Sequence, residues 1–140
     1  MDPKEERLKG LALFKGADKN AIRHLASAAD EVTVAAGHTI ISEGHSRNEM
    51  FVIESGGADV LIDGKKVAEV PAGEVVGELG YFVRAPASAT VVTNSETTVL
   101  VIPYNRFGQI LDENPAMVRG IVNELAERLY ATDAKISGTG

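Results

Sequence analysis

At 140 residues, 44% of them apolar, the chain is long enough for one domain that buries roughly two thirds of its unfolded surface. It has no cysteine, which excludes disulfides and thiolate metal sites, and its formal net charge of -6 argues against a nucleic-acid surface, which needs a basic stripe. No apolar run approaches the roughly 20 residues that span a bilayer, and the start MDPKEERLKG is charged throughout, so the expected location is the cytoplasm.

In chain order, residues 1–30 read as a helical segment. Leu8, Leu11, Leu13 and Phe14, then Ile22, Leu25 and Ala26, recur near helical spacing, and Asp18 stands where an N-cap belongs. The basic residues from Lys4 to Arg23 are interleaved with Glu5, Glu6 and Asp18, as on the solvated side of helices. From 31 to 102 the texture changes: short β-branched runs are punctuated by Gly37, Gly44, Gly56, Gly57, Gly64, Gly73 and Gly77. Such spacing predicts about eight short strands in a small jelly roll or barrel. The clearest hairpin is ADVLIDGKKVAEV, where Asp63-Gly64 supplies the positive backbone angles of a two-residue type I′ turn and Val60 and Ile62 pair with Val67 and its neighbours.

After 102 the period is helical again. Pro103 can open one helix, and Asn114-Pro115 reads as an N-cap followed by proline in the first turn of another. On that helix Met117, Val118, Ile121, Val122, Leu125 and Leu129 form one apolar stripe, which most simply covers the barrel. Helices are expected over 103–131 and a polar, frayed tail over 132–140. The whole is an α+β unit: N-terminal helices, an eight-stranded double-stranded β-helix (jelly-roll) barrel and two C-terminal helices, with no linker long enough to separate domains.

Few residues offer chemistry. Gly37, Glu43, His45, Glu49 and Gly56 nearly reproduce a first cupin motif, with Glu43 in place of the first histidine; Glu43 and His45 would share a face of an extended segment, and Glu49 could add an oxygen to a divalent metal. The second cupin motif should return a histidine after Pro71-Ala72-Gly73, where Glu74, Val75 and Val76 stand, so the ligand set is incomplete and no metal or cofactor is expected. His24 and His38 have no partner identifiable from sequence, there is no GxSxG elbow for a nucleophilic serine, and no P-loop.

The segment Gly77 to Thr90, GELGYFVRAPASAT, is different. Gly77 permits a sharp turn and close approach of a ligand, and Glu78 through Val83 could make one helical turn. Unpaired N–H groups at its start, with others after Pro86, can receive phosphate oxygens, while Glu78, acceptor-only when ionised, suits a ribose hydroxyl. A phosphorylated ribose fits this loop. An ordinary barrel crossover, with Tyr81 and Phe82 packed into the core, fits the same residues.

Taken in order, FKGADKNAIRHLA, AGHTIISEGHSRNEMFVIESGGADV, the Asp63-Gly64 hairpin, PAGEVVGELGYF, PASATV and YNRFGQILDENP make the chain resemble the cyclic-nucleotide-binding domain of catabolite-activator-like regulators, kinase regulatory subunits and gated channels, from Leu8 to Leu129. The resemblance implies a non-enzymatic sensor that binds cyclic AMP or cyclic GMP in the cassette 77–90 and relays this through its C-terminal helices to an effector protein or in a homo-dimer. It implies that Gly77 and Gly80 approach the ligand with their backbone, that Glu78 grips the ribose 2′-hydroxyl, and that Ser88 meets the phosphate, with Leu79 and Ala89 beside them. Tyr130 falls near the family's lid over the base. Gly80 stands where the family usually has alanine and Val76 where it usually has phenylalanine, a packing change of small consequence; the departure that bears on binding is Ala87, in place of the arginine that pairs with the phosphate. Loss of that pair should cost on the order of 2 to 5 kcal/mol, roughly 30- to several thousand-fold in affinity. It would leave the pocket net negative through Glu78, with Arg84 the nearby replacement in sequence. A degenerate domain that serves as a protein-interaction module, and a cupin-like metalloenzyme, stay open as alternatives.

Overall fold

In the computed structural model, which describes residues 2–136, the β-branched runs form eight strands. They are β1 (Asp30–Val34), β2 (Thr39–Ile41), β3 (Glu49–Ser55), β4 (Gly57–Ile62), β5 (Lys65–Pro71), β6 (Val75–Val76), β7 (Thr90–Thr93) and β8 (Thr97–Pro103). They pair antiparallel into two four-stranded sheets, ordered β1-β8-β3-β6 and β2-β7-β4-β5, which is the jelly-roll fold. The helices are α1 (Pro3–Lys9), α2 (Lys19–Ala28), α3 (Leu79–Phe82), α4 (Tyr104–Glu113) and α5 (Pro115–Ile136), with a 3-10 turn at Ala12–Phe14.

The chain divides into two compact units, one from Ala28 to Gly108 and one made of Met1–Ser27 with Gln109–Gly140. In the first, the uninterrupted apolar run Met50 to Ile53 makes β3 a buried strand, as such short runs tend to be. Phe51 and Ile53 join Ile41, Ala58, Val91 and Val99 in one core cluster, and Ala87 belongs to it. At the tip of the hairpin Asp63 and Gly64 have φ of 51° and 78°, the positive angles a type I′ turn needs. The strands below it do not pair in simple alternation. A register shift sets Leu61 opposite Lys66 and Val60 opposite Ala68, so Val67 is skipped and exposed.

In the helical unit, Asp18 caps α2 by accepting the Ala21 N–H at 2.8 Å, and Pro115 is the first residue of α5. Asn114 precedes α5 as the expected cap, its carbonyl accepting the Met117 and Val118 N–H groups at 3.0 and 3.3 Å, while its side-chain amide donates back to the Ile110 carbonyl at 2.7 Å and closes α4. The apolar stripe on α5 is also shorter than its sequence suggests. Met117 and Ile121 are buried, but Val122 and Leu129 are 56% and 63% exposed, because the 22-residue helix has buried partners for its first turns only. Ala131 and Thr132, at the end of the expected helical span and start of the expected tail, continue that helix, which runs to Ile136. No helix among the described residues is long and apolar enough to cross a membrane.

The chain just after the 3-10 turn and α5 meet through two glycines. A Cβ added at Gly120 would lie 2.8 Å from the Gly16 Cα, and one added at Gly16 would lie 2.9 Å from the Gly120 Cα. Both obstacles are backbone, so neither can move aside cheaply. Gly120→Ala should therefore destabilise the protein by about 1–3 kcal/mol through overpacking, although alanine is the better helix former by roughly 1 kcal/mol. Urea denaturation reads this directly, and a variant more stable than the native chain would contradict the crossing.

Candidate functional site

The loop between β2 and β3, residues 42–48, is fastened to the segment that enters β7. Gly44 N–H donates to the Ala87 carbonyl at 2.8 Å, Ala87 N–H donates to the His45 carbonyl at 2.9 Å, and Glu43 N–H donates to the Thr90 hydroxyl at 3.0 Å. Ala87 is thus held by both of its backbone polar groups, and its methyl is 4% exposed in the core cluster. From the same loop Arg47 reaches across, one terminal guanidinium nitrogen donating to the Ala85 carbonyl at 3.3 Å.

The other wall begins at Gly77. Its φ of 84° lies in the left-handed region, and a Cβ there would stand 3.2 Å from the Glu49 carbonyl, so only glycine makes this turn without strain. Glu78 follows, 6% exposed, with its carbonyl accepting the Tyr81 N–H at 3.2 Å. α3 is pinned by aromatic rings. Tyr81 packs edge-on against Phe82, Tyr104 and Phe107 with centroids 5.0, 5.8 and 5.1 Å away, the preferred geometry for ring quadrupoles. Gly108 makes this possible, because a Cβ there would come within 2.7 Å of the Tyr81 hydroxyl. Phe82 is exposed and Tyr81 is half-buried, so neither ring is enclosed in the core. The Tyr104 hydroxyl donates to the Gly77 carbonyl and braces the turn from the start of α4.

Between the walls lies a cavity of about 200 Å³. It brings together Gly77, Glu78, Leu79, Ala87, Ser88 and Ala89 from the cassette, with Ile41, Val60, Val75, Val76 and Val91 from the strands. Arg47 lines it too, and sequence reasoning missed it. The cavity therefore carries one basic side chain beside Glu78, where a net negative pocket was expected. Gly80 is buried, but the space on its open side is taken by this chain's own Arg47 guanidinium and Tyr104 hydroxyl. Arg84 is exposed on the turn after α3 and is not among the lining residues. Tyr130 belongs to the helical unit, on α5, and is 77% exposed. The one sequence signal for Arg47 was indirect: the glycine at 80, which had no stated reason to be smaller than alanine.

The cupin-like ligand set does not assemble. Among the described residues no three His, Asp or Glu side chains converge as metal ligands, and Glu43 instead accepts the Asp63 N–H at 3.1 Å.

A family model described as the cyclic nucleotide-binding domain matches residues 31–114. The chain is 32% identical over 107 residues to a cAMP-dependent protein kinase regulatory subunit of Mucor circinelloides f. lusitanicus, covering 76% of this chain and 25% of that protein. Of solved structures, the regulatory domain of Toxoplasma gondii PKA with cAMP superposes with a TM-score of 0.74 at 27% identity, covering 83% of this chain and 45% of that one. The regulatory subunit of a cAMP-independent protein kinase A from Trypanosoma cruzi bound to guanosine gives 0.72 at 27% identity, covering 76% and 38%. The chain thus spans between 25% and 45% of the length of these relatives.

Burial raises the Tyr104 hydroxyl above its ordinary value near 10, with the Arg47 charge opposing the shift and Glu78 adding to it. The folded state holds this proton more tightly than the unfolded chain does, so the resulting stability is complete below about pH 10 and is lost as pH rises through the raised folded value. Above about pH 10 the native protein should lose stability more steeply than Tyr104→Phe, which lacks the titrating group. Parallel alkaline curves for the two proteins would contradict the buried hydroxyl.

Proposed function

The chain belongs to the cyclic nucleotide-binding domain family, and we propose that it binds cyclic AMP or cyclic GMP in the cassette 77–90 and acts as a regulatory sensor in the cytoplasm. The observation that supports this most is the cavity that Glu78 shares with Gly77, Ala87, Ser88 and Ala89. A buried carboxylate there can accept a hydrogen bond from a hydroxyl, which a ribose supplies through its 2′-position. Ser88, exposed at the opposite wall, offers a hydroxyl to phosphate. At about 200 Å³ the cavity is smaller than the roughly 300–1,000 Å³ of sites that enclose a whole small ligand, so it suits the ribose phosphate with the base at the mouth beside exposed Leu79. A lid role for Tyr130 would bury a ring that is now in solvent.

The relay in this reading starts at the brace between Gly77 and Tyr104. A ligand that shifts the turn at Gly77 bears on Tyr104 and, through Tyr81, on Phe107, so it acts on the first turns of α4. The chain then carries the change into α5, where an effector protein or a second copy would read it.

One observation favours a second reading. Position 87 holds a buried alanine, and the similar Trypanosoma cruzi protein is the regulatory subunit of a cAMP-independent protein kinase A, bound to guanosine. A neutral nucleoside would use Glu78 and ignore the phosphate subsite.

Calorimetric titration with cyclic AMP, cyclic GMP, adenosine and guanosine up to millimolar concentration separates the two. A cyclic nucleotide should bind, and Glu78→Gln should weaken it by about 10- to 100-fold, the cost of losing a hydrogen bond to a charged group. Nucleoside binding with no response to either cyclic nucleotide would establish the second reading, and no heat from any of the four would sink both.

A further inference from the structure

On the premise that the cassette binds a cyclic nucleotide, we propose that Arg47, from the loop between β2 and β3, is the cation that meets the ligand's phosphodiester in place of a side chain at 87, and that Gly80 is the residue that makes room for it. Arg47 lines the same cavity as Glu78, Ala87 and Ser88, so its charge is available where the ligand's charge would sit. Its guanidinium has five N–H donors. One terminal nitrogen bonds the Ala85 carbonyl, while Nε is buried without a hydrogen-bond partner among the described residues. An unsatisfied buried donor is costly, and a phosphate oxygen would relieve that cost.

The position of the guanidinium is built in, on two grounds. Its loop is fastened to the cassette by the reciprocal Gly44–Ala87 and Ala87–His45 backbone bonds, so the cation is placed before any ligand arrives. It also lies against Gly80, where an added Cβ would stand 2.7 Å from both Cζ and Nε and in contact with the Tyr104 hydroxyl. Alanine at 80 and the guanidinium in this place are mutually exclusive. Arg47 also borders a second cavity, of about 250 Å³, with His45, Asn48 and Glu49, but its contacts with Gly80 and Ala85 put the charged end at the cassette. With Glu78 in the same lining, the cavity carries one charge of each sign, and the single negative charge of a cyclic phosphodiester can be accepted beside a carboxylate.

The test pairs two ligands with several variants. Cyclic AMP and cyclic GMP carry the phosphodiester, and adenosine and guanosine are the same molecules without it. Arg47→Gln should weaken the bound cyclic nucleotide by at least about 30-fold while changing nucleoside affinity by less than about 3-fold, and Arg47→Lys should recover part of the loss. Gly80→Ala, which improves helix propensity, should keep the fold by circular dichroism yet lose cyclic-nucleotide affinity, and in the Tyr104→Phe background, where its Cβ no longer meets the hydroxyl, it should add no further loss once Arg47→Gln is present. Equal affinity of native and Arg47→Gln for the cyclic nucleotide would overturn the assignment of Arg47 and leave the cyclic-nucleotide reading intact. So would a loss carried by Arg84→Gln in its place, or an equal loss for nucleosides. A native protein that binds no cyclic nucleotide removes the premise, and the role of Arg47 with it.

Discussion

Two backbone hydrogen bonds at Ala87 hold the cavity-facing side of the sheet unit together. By accepting from Gly44 and donating to His45, this one residue turns two surface segments, far apart in sequence, into a short ladder. Each segment alone would be a loop closed only at its strand ends, free to sample many shapes. Joined, they present residues 43–48 and 85–90 as one wall. The small side chain suits the position: the methyl of Ala87 fills the core cluster with Ile41 and Val91, where a long side chain would have to displace them or turn into the cavity. A cation at the cavity therefore comes across the ladder, from Arg47, and not from the ladder's own rung.

The opposite wall depends on glycine and aromatic residues in equal measure. Gly77 turns with a positive φ, Gly80 admits the guanidinium and the Tyr104 hydroxyl, and Gly108 admits the ring of Tyr81. Edge-to-face ring pairs contribute roughly 0.5–1.5 kcal/mol each beyond their burial. The pairs that Tyr81 makes with Tyr104 and Phe107 thus give a four-residue helix an anchor that its own hydrogen bonds could not supply.

What could be read in the sequence was whatever is local. The caps at Asp18 and Pro115, the Asp63-Gly64 turn and the strand alternation each depend on a few adjacent residues, and they were legible for that reason. Val67 and the later apolar residues of α5 were misread because their roles depend on what lies across from them: a slipped register, a helix longer than its packing partner. The cassette divides the same way. Gly77, Glu78, Ala87 and Ser88 fall in one contiguous segment and could be named together. Arg47 sits in another segment, one turn past Gly44, and no spacing rule ties it to position 80. The glycine at 80 was visible as a single letter; only distances connect it to Arg47.

The Tyr104 hydroxyl on the Gly77 carbonyl ties a cavity wall to the first residue of a helix. Binding free energies linked through such a tie are symmetric: whatever factor an occupant of the cavity imposes on the arrangement of α4, a protein that grips α4 imposes on the occupant. On the proposed function, a domain of this build has no fixed threshold of its own. The concentration at which its cavity fills would be written partly by the partner that holds its helices, and the same chain could answer at different ligand levels in different company.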